Sequence, residues 1–339
     1  MEERLPEDKL SALLPALSLL AERIGAGEVL EHSALREVLL DVGINEQAWA
    51  IEHSNLLELE KWTGILKRAR DSSSESEDAL VVEEFRARGI PEFNAILACH
   101  SAKPRPLPVE PSSLSREELD NILRSSDYTP DKLIEFFRPD FGKEFVADAG
   151  VWEKYTVERH ILMVMHQFEK YFSRGSLPSG FNVDTFRVIL ALHDIGVSAA
   201  IEEGTKRGME IREAKKIGQP IYTSKLMGSA MENLGFDRKE IDVAKALVSD
   251  DPIGSYLRSG IFTTTSIRGM ARQSGMPVLD FFDLLLVFYM VDASSYTEDA
   301  GGQKSLDFLF VFDKHQMKMA FSPETLNKIS KLRKSLEWS

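Results

Sequence analysis

The chain has 339 residues, of which 43% are hydrophobic and 28% are charged, a composition that suits a globular protein of about two domains. Its net charge of −13 at pH 7 argues against general affinity for nucleic acid and for anionic membrane surfaces. A single cysteine, Cys99, excludes an intrachain disulfide, and no uncharged run is long enough to span a bilayer. We therefore expect a cytoplasmic protein without a membrane partner.

Residues 1–100 are predicted to form a helical domain. Leucines near its start recur at intervals of three or four residues, as on one face of an amphipathic helix. They are Leu10, Leu13, Leu14, Leu17 and Leu20. The acidic, serine-rich segment 71–78, DSSSESED, is predicted to be a flexible loop between two helices of this domain.

Two short segments of this domain resemble a known module. KWTGILKRAR at 61–70 and PEFN at 91–94 are similar to parts of the effector-associated domains, which are small helical adaptors of bacterial conflict systems. Those adaptors carry a helix led by tryptophan and a late Pro-x-x-Asn before a closing helix. The resemblance implies that the N-terminal domain contacts a protein partner. A helical bundle without that role is the alternative.

Residues 101–114 are predicted to be an interdomain linker, because the prolines of SAKPRPLPVEPSS prevent a helix and favour extended backbone. Helical patterns then follow one another through 115–339, beginning with a Ser115–Glu118 capping box. No convincing strand alternation interrupts them, although LDFLFVF at 306–312 can be read either way. The predicted fold class is all-α, with a smaller helical domain before a larger one.

Metal-ligand residues recur in the apolar helices of the larger domain. The apolar run 188–192 leads directly into His193 and Asp194, at the end of a helix predicted over 183–195. An imidazole and a carboxylate in such a setting lose their hydration, and a divalent ion that binds both would replace it. His160 lies on an earlier predicted helix and Asp292 on a later one, so the sequence offers four candidate ligands.

The pattern His160, His193-Asp194, Asp292 in a helical setting resembles the HD-domain metal-dependent phosphohydrolases, and HDIG at 193–196 is its strongest part. The similarity covers residues 148–312. It implies an HD-type helical bundle in which the four residues bind one divalent ion. Their donor set suits manganese, iron, cobalt, nickel or zinc. It also implies a hydrolase that acts on a nucleotide or another small phosphate ester, with His193 and Asp194 as catalytic residues and Asp194 as a proton acceptor.

The chain departs from this family at two places. Val197 stands where many HD proteins have a lysine that helps to hold phosphate. QPIYT at 219–223 lacks a histidine that often binds a second metal, and no histidine lies between His193 and His315. We therefore expect a single-metal site. A catalytically degraded HD protein that serves as a nucleotide sensor or protein-interaction module is the alternative function.

A small phosphate-containing ligand requires positive charge, and a basic run follows the motif. Lys206, Arg207, Lys215 and Lys216 are predicted to bind the substrate, whereas a solvated helix face is the alternative reading. Asp251, in DDPIG, is predicted to orient a ligand or a substrate hydroxyl. Its alternative reading is a helix stop before proline.

Overall fold

The structure is a computed structural model. It describes residues 6–25, 30, 32–42, 44, 49–71, 75–102, 114–149, 154–206, 210–260, 262–303 and 306–337. Across these residues the chain is helical apart from two short strands, which confirms the predicted all-α class. The chain divides into two units, Met1–Val109 and Glu110–Ser339.

The first unit is built from amphipathic helices. They are α1 (Glu7–Gly25), α2 (His32–Asp41), α3 (Trp49–Asp71), α4 (Glu75–Ala87) and α5 (Glu92–Ala102). The leucine face of α1 is buried, as its spacing predicts, through Leu13, Leu17 and Leu20. Trp62 of α3 and Phe85 of α4 are fully buried in the same core.

Two boundaries of this unit differ from those predicted. Helix α4 begins at Glu75, so residues 75–78 are helical rather than part of a loop, while residues 72–74 lie outside the described residues. Acidic residues are favoured in the first turn of a helix because of its dipole, so this segment can begin a helix. Helix α5 continues through Ala102, and residues 103–113 of the predicted linker lie outside the described residues.

The second unit contains a longer series of helices. They are α6 (Arg116–Leu123), α7 (Pro130–Phe145), α8 (Val157–Tyr171), α9 (Val183–Leu192), α10 (Val197–Lys206), α11 (Ile211–Asn233), α12 (Arg238–Val248), α13 (Pro252–Ser259), α14 (Thr264–Ser274), α15 (Val278–Ser294) and α16 (Pro323–Glu337). Short 3-10 helices cover Pro178–Gly180 and Glu298–Ala300. Ser115 precedes α6 but makes no side-chain capping bond, so the predicted capping box does not form.

The ambiguous segment 306–312 contributes to a small hairpin. Strand β1 (Phe310–Asp313) pairs antiparallel with β2 (Lys318–Phe321), and Phe310 lies opposite Phe321. The two rings stack with centroids 5.7 Å apart, which is the kind of cross-strand contact that stabilises a short hairpin. The conformation of this segment is decided by its pairing with a partner strand. The sequence of the segment alone does not reveal that pairing.

Helix α8 packs against both α9 and α15, and these three helices support the candidate site. Thr156 caps α8 by accepting a hydrogen bond from the Arg159 amide, and Asn182 caps α9 in the same way. The second half of α9, residues 188–192, is entirely buried. Within the described residues no single helix is long and apolar enough to cross a membrane, and the one pair that reaches this length and composition, α14 with α15, is bent by 101°.

Candidate metal centre

The four predicted ligands come together from three places in the second unit. His160 lies in the first turn of α8, and Asp292 lies near the end of α15. Helix α9 ends at Leu192, so His193 and Asp194 occupy the turn between α9 and α10 rather than the predicted helix end. In this turn the two consecutive side chains approach each other, with His193 Nε2 3.8 Å from Asp194 Oδ1. Consecutive side chains of a regular helix diverge by about 100°.

Donor atoms of His160, His193 and Asp194 all lie within 4.8 Å of one another, and this group can hold a metal ion. The Nε2 atoms of the two histidines are 3.4 Å apart, and His160 Nε2 is 3.5 Å from Asp194 Oδ2. Asp292 Oδ1 lies 3.1 Å from His160 Nε2 and 3.7 Å from His193 Nε2. Donors about 2.1 Å from one ion are separated by about 3.0 Å at a right angle and about 3.4 Å at a tetrahedral angle.

The electrostatics of the cluster favour a positive charge at its centre. Burial alone would lower the pKa of His193, but the carboxylates of Asp194 and Asp292 outweigh it and raise this pKa to about 9. Burial alone would raise the pKa of Asp292, but its hydrogen bond with His160 and the nearby imidazole of His193 hold this pKa well below its ordinary range. The carboxylates therefore stabilise positive charge on their neighbours, as they would stabilise a divalent cation.

The cluster is open on the side of α15. His160, His193 and Asp194 are only 2%, 4% and 5% exposed, whereas the Asp292 side chain is 38% exposed. Phe288, four residues before Asp292, is also partly exposed, and its ring meets the edge of the His193 ring at a centroid distance of 5.9 Å. Residues four apart share one face of a helix, so this face of α15 borders the approach to the cluster.

Two hydrogen bonds orient the ligands of the turn. His193 donates from Nδ1 to the carbonyl oxygen of Leu190 at 2.7 Å, which directs its Nε2 atom toward the cluster. Gln219 of α11 donates from Nε2 to Asp194 Oδ1 at 2.5 Å. This bond fixes the rotation of the carboxylate and leaves Oδ2 facing His160.

The glycine of HDIG is explained by a close approach between helices. The Gly196 amide donates to the Thr223 hydroxyl at 3.1 Å. A Cβ atom at position 196 would lie 2.2 Å from the backbone nitrogen of Thr223, which is well inside van der Waals contact. Gly196 thus lets the turn that carries His193 and Asp194 pack directly on α11, which carries Gln219.

Within the described residues, no contact connects the basic residues predicted to bind substrate with the cluster. Lys215 donates from Nζ to the carbonyl oxygen of Ala149 at 2.6 Å, so this ammonium group has a structural partner. Lys216 is exposed on α11. Arg207 and the side chain of Lys206 lie outside the described residues. Substrate binding by these four residues stays a prediction.

Asp251 has a structural role of its own. It caps α13 by accepting a hydrogen bond from the Gly254 amide at 2.8 Å, and it pairs with Arg258 at 3.2 Å. The helix-boundary reading of DDPIG is therefore confirmed. An additional role for Asp251 toward a ligand stays a prediction.

Sequence reasoning missed two residues that contact the ligands. Gln219 begins the segment QPIYT, which lacks the histidine of the family, but nothing in the sequence predicts the bond of Gln219 to Asp194. Tyr296, whose ring stacks on His160, follows Asp292 by four residues, and that spacing is a weak signal that it faces the same way.

Comparisons of the chain with protein-family models, curated proteins and solved structures find no match. The site is therefore described by its own geometry. The HD-type arrangement, the metal and the substrate stay predictions at this point.

The contact at Gly196 generates the first prediction. Gly196→Ala is expected to lower the free energy of unfolding by about 1–3 kcal/mol, because the added methyl group meets backbone rather than a flexible side chain. It should also weaken Co²⁺ binding, because the turn of His193 and Asp194 must move away from Gln219. Urea unfolding and Co²⁺ titration measure the two effects.

Gly142→Ala is the matched control. Gly142 lies in α7 directly after a kink at Phe141, and a Cβ atom there would be 3.6 Å from its nearest neighbour, the Arg138 side chain, an ordinary contact. Alanine is the better helix former, so this variant should be as stable as the wild type or more so. Equal stability and equal Co²⁺ affinity for Gly196→Ala and the wild type would contradict the packing argument.

Proposed function

We propose that this chain is a single-metal phosphohydrolase of the HD type, which acts on a nucleotide or another small phosphate ester. The observation that carries the proposal is the convergence of His160, His193, Asp194 and Asp292 on one point. A lone pair of adjacent ligand residues would be weak support. Two imidazoles and two carboxylates from three separate parts of the chain form a donor set that suits a first-row transition metal.

The four side chains would share the work of the site. Together they would hold a divalent ion, which supplies polarisation of a phosphoryl oxygen and lowers the pKa of a water molecule. Asp194, fixed by Gln219, would accept the proton of the attacking water. Asp292 would face the substrate, because its carboxylate is the most accessible of the four.

The neighbourhood of Asp292 also supports a substrate that is more than a bare phosphate. Phe288 and Tyr289 of α15 lie beside this residue and are partly exposed. Such rings bury well against a flat apolar group, as in the base of a nucleotide. The two rings therefore favour a nucleotide over inorganic polyphosphate as the substrate.

A specific observation favours the second candidate, a degraded HD protein that binds a nucleotide without hydrolysing it. Val197, at the start of α10, is fully buried, so this position supplies no cation for a phosphate. Lys215, the nearest alternative in the predicted basic run with a described side chain, is hydrogen-bonded to a backbone carbonyl. In this case the N-terminal unit would pass the bound state to a protein partner, as its resemblance to adaptor domains implies.

The metal site gives the second prediction. The wild-type protein should bind about one divalent ion per chain. The His193→Ala variant should lose this ion, because the turn that carries His193 supplies two of the four proposed ligands. Elemental analysis after purification without added metal, with a thermal-shift titration of Mn²⁺, Co²⁺ and Zn²⁺, measures the binding. An ion that prefers the native state raises the unfolding temperature by mass action.

His166→Ala is the matched control for that experiment. His166 is on the same helix as His160, but its side chain is 57% exposed and 3.6 Å from Asp131. Its replacement should leave the metal content unchanged. A folded wild-type protein that contains no metal and shows no shift with any of the three ions would defeat the proposal.

Hydrolysis gives the third prediction. Asp194→Asn should lower kcat/KM by about 100-fold or more on any nucleotide that the wild type hydrolyses, because the amide carries no charge and accepts no proton. Phosphate release from nucleoside mono-, di- and triphosphates and cyclic nucleotides, with Mn²⁺ or Co²⁺ present, measures it. Asp140→Asn, at an exposed position of α7, is the control and should retain full activity.

The same assay separates the two candidates. Turnover that survives Asp194→Asn would contradict both of them, because the chemistry would then lie elsewhere. A wild type that binds a nucleotide tightly in a metal-dependent way, and does not hydrolyse it, would favour the sensor.

A further inference from the structure

The two histidines of the cluster are held in different ways. His193 has a backbone acceptor for its Nδ1 atom, as most metal-binding histidines do. His160 is 2% exposed, and its Nδ1 atom has no hydrogen-bond partner anywhere in the described part of the chain. Something other than a hydrogen bond must therefore fix the plane of the His160 ring.

An aromatic ring lies against His160 in the required position. The Tyr296 ring is stacked on the imidazole with a centroid distance of 5.0 Å and an interplanar angle of 18°. Tyr155 is stacked in turn with Tyr296, at 6.4 Å and 23°. Both separations lie in the range in which aromatic pairs attract one another. His160, Tyr296 and Tyr155 thus form a column of three rings, which we call the His160 stack.

The far end of the His160 stack is anchored. Tyr155 is 2% exposed, and its hydroxyl oxygen accepts a hydrogen bond from the Gln303 amide at 2.7 Å. The Arg159 guanidinium lies 5.0 Å from the centre of the Tyr155 ring, a cation–π contact. Arg159 and His160 are neighbours on α8, so the stack begins and ends on the same helical turn.

The backbone of Tyr296 is fixed as well. A Cβ atom at Gly302 would lie 2.5 to 2.7 Å from backbone atoms of Tyr296, so the chain closes tightly around this residue. Thr297 is fully buried, and its amide and side-chain hydroxyl both donate to the Ser294 carbonyl oxygen. Asp299 then accepts hydrogen bonds from Lys170 and Tyr171 of α8. The backbone that carries the Tyr296 ring is therefore fixed by contacts that do not involve His160.

We infer that Tyr296 is a positioning residue for a metal ligand: its ring holds the imidazole of His160 in the plane that directs Nε2 at the ion, in place of the usual hydrogen bond to Nδ1. The inference rests on the metal site proposed above. A stacked ring fixes the imidazole plane, and the contacts with His193 and Asp292 fix its direction within that plane. An ion withdraws electrons from the imidazole, which strengthens its attraction to the electron-rich face of a phenol ring.

The experiment compares variants of Tyr296 that keep the aromatic ring with variants that replace it by an aliphatic side chain. Tyr296→Phe retains the stack, whereas Tyr296→Leu and Tyr296→Met remove it. Tyr296 is only partly exposed to solvent and lies in a loop fixed by backbone contacts, so we expect all three to fold. Tyr128→Leu is the matched control, because Tyr128 is a partly buried tyrosine that contacts Arg187 instead of the cluster.

Each protein is titrated with Co²⁺, and its visible absorption and its urea stability without metal are recorded. Tyr296→Leu and Tyr296→Met should weaken Co²⁺ binding about 10-fold or more and alter the Co²⁺ spectrum, as the loss of a residue that orients a ligand typically does. Tyr296→Phe should bind within about 3-fold of the wild type, because the ring carries the effect. Tyr128→Leu should lower stability and leave Co²⁺ affinity unchanged.

Three results would overturn the inference. Co²⁺ affinity and spectrum in Tyr296→Leu equal to those of the wild type would show that the ring only fills space. Weakening of Tyr296→Phe as large as that of Tyr296→Leu would assign the effect to the hydroxyl. Absence of Co²⁺ binding by the wild type would show that the metal site itself is wrong. This result distinguishes failure of the proposed function from failure of the positioning role.

Discussion

The imidazoles of His160 and His193 and the carboxylates of Asp194 and Asp292 come together in the second unit, and the surrounding helices pack around this cluster. Buried charges are costly unless they are paired, and here each histidine lies within 4 Å of a carboxylate. The pairing links α8, the turn after α9, and α15, which are distant in sequence. Removal of one member would leave another buried without its partner, so the cluster constrains the fold as well as the chemistry.

Three of the four proposed ligands are contacted from three different parts of the chain. A backbone carbonyl of α9 accepts a hydrogen bond from His193, a side-chain amide of α11 donates one to Asp194, and an aromatic ring after α15 stacks on His160. Supports that come from different elements favour a site with a well-defined geometry. Asp292 differs from the other three residues because its side chain is partly exposed, so the cluster is open on the side of α15.

Local patterns predicted the parts of this structure that depend on local sequence. The leucine spacing of α1 and the apolar runs of α9 and α15 indicated helices, and the all-α class followed. The conformation of residues 310–313 and the bond between Gln219 and Asp194 depend on residues elsewhere in the chain, so periodicity could not reveal them. Residues 193–195 were assigned to a helix because their apolar flanks continue its pattern, whereas residues 193–196 form a turn in which Gly196 packs on α11.

The proposed site requires one ion bound to both histidines, and X-ray absorption of the protein loaded with Co²⁺ measures the donors around that ion. The spectrum should show scattering from two imidazole rings, with the remaining donors oxygen, and no second metal at about 3.5–4 Å, the separation typical of two-metal sites. Removal of His160 or His193 should reduce the imidazole contribution by one ring. A first shell of oxygen alone, or a clear metal–metal distance, would contradict the account.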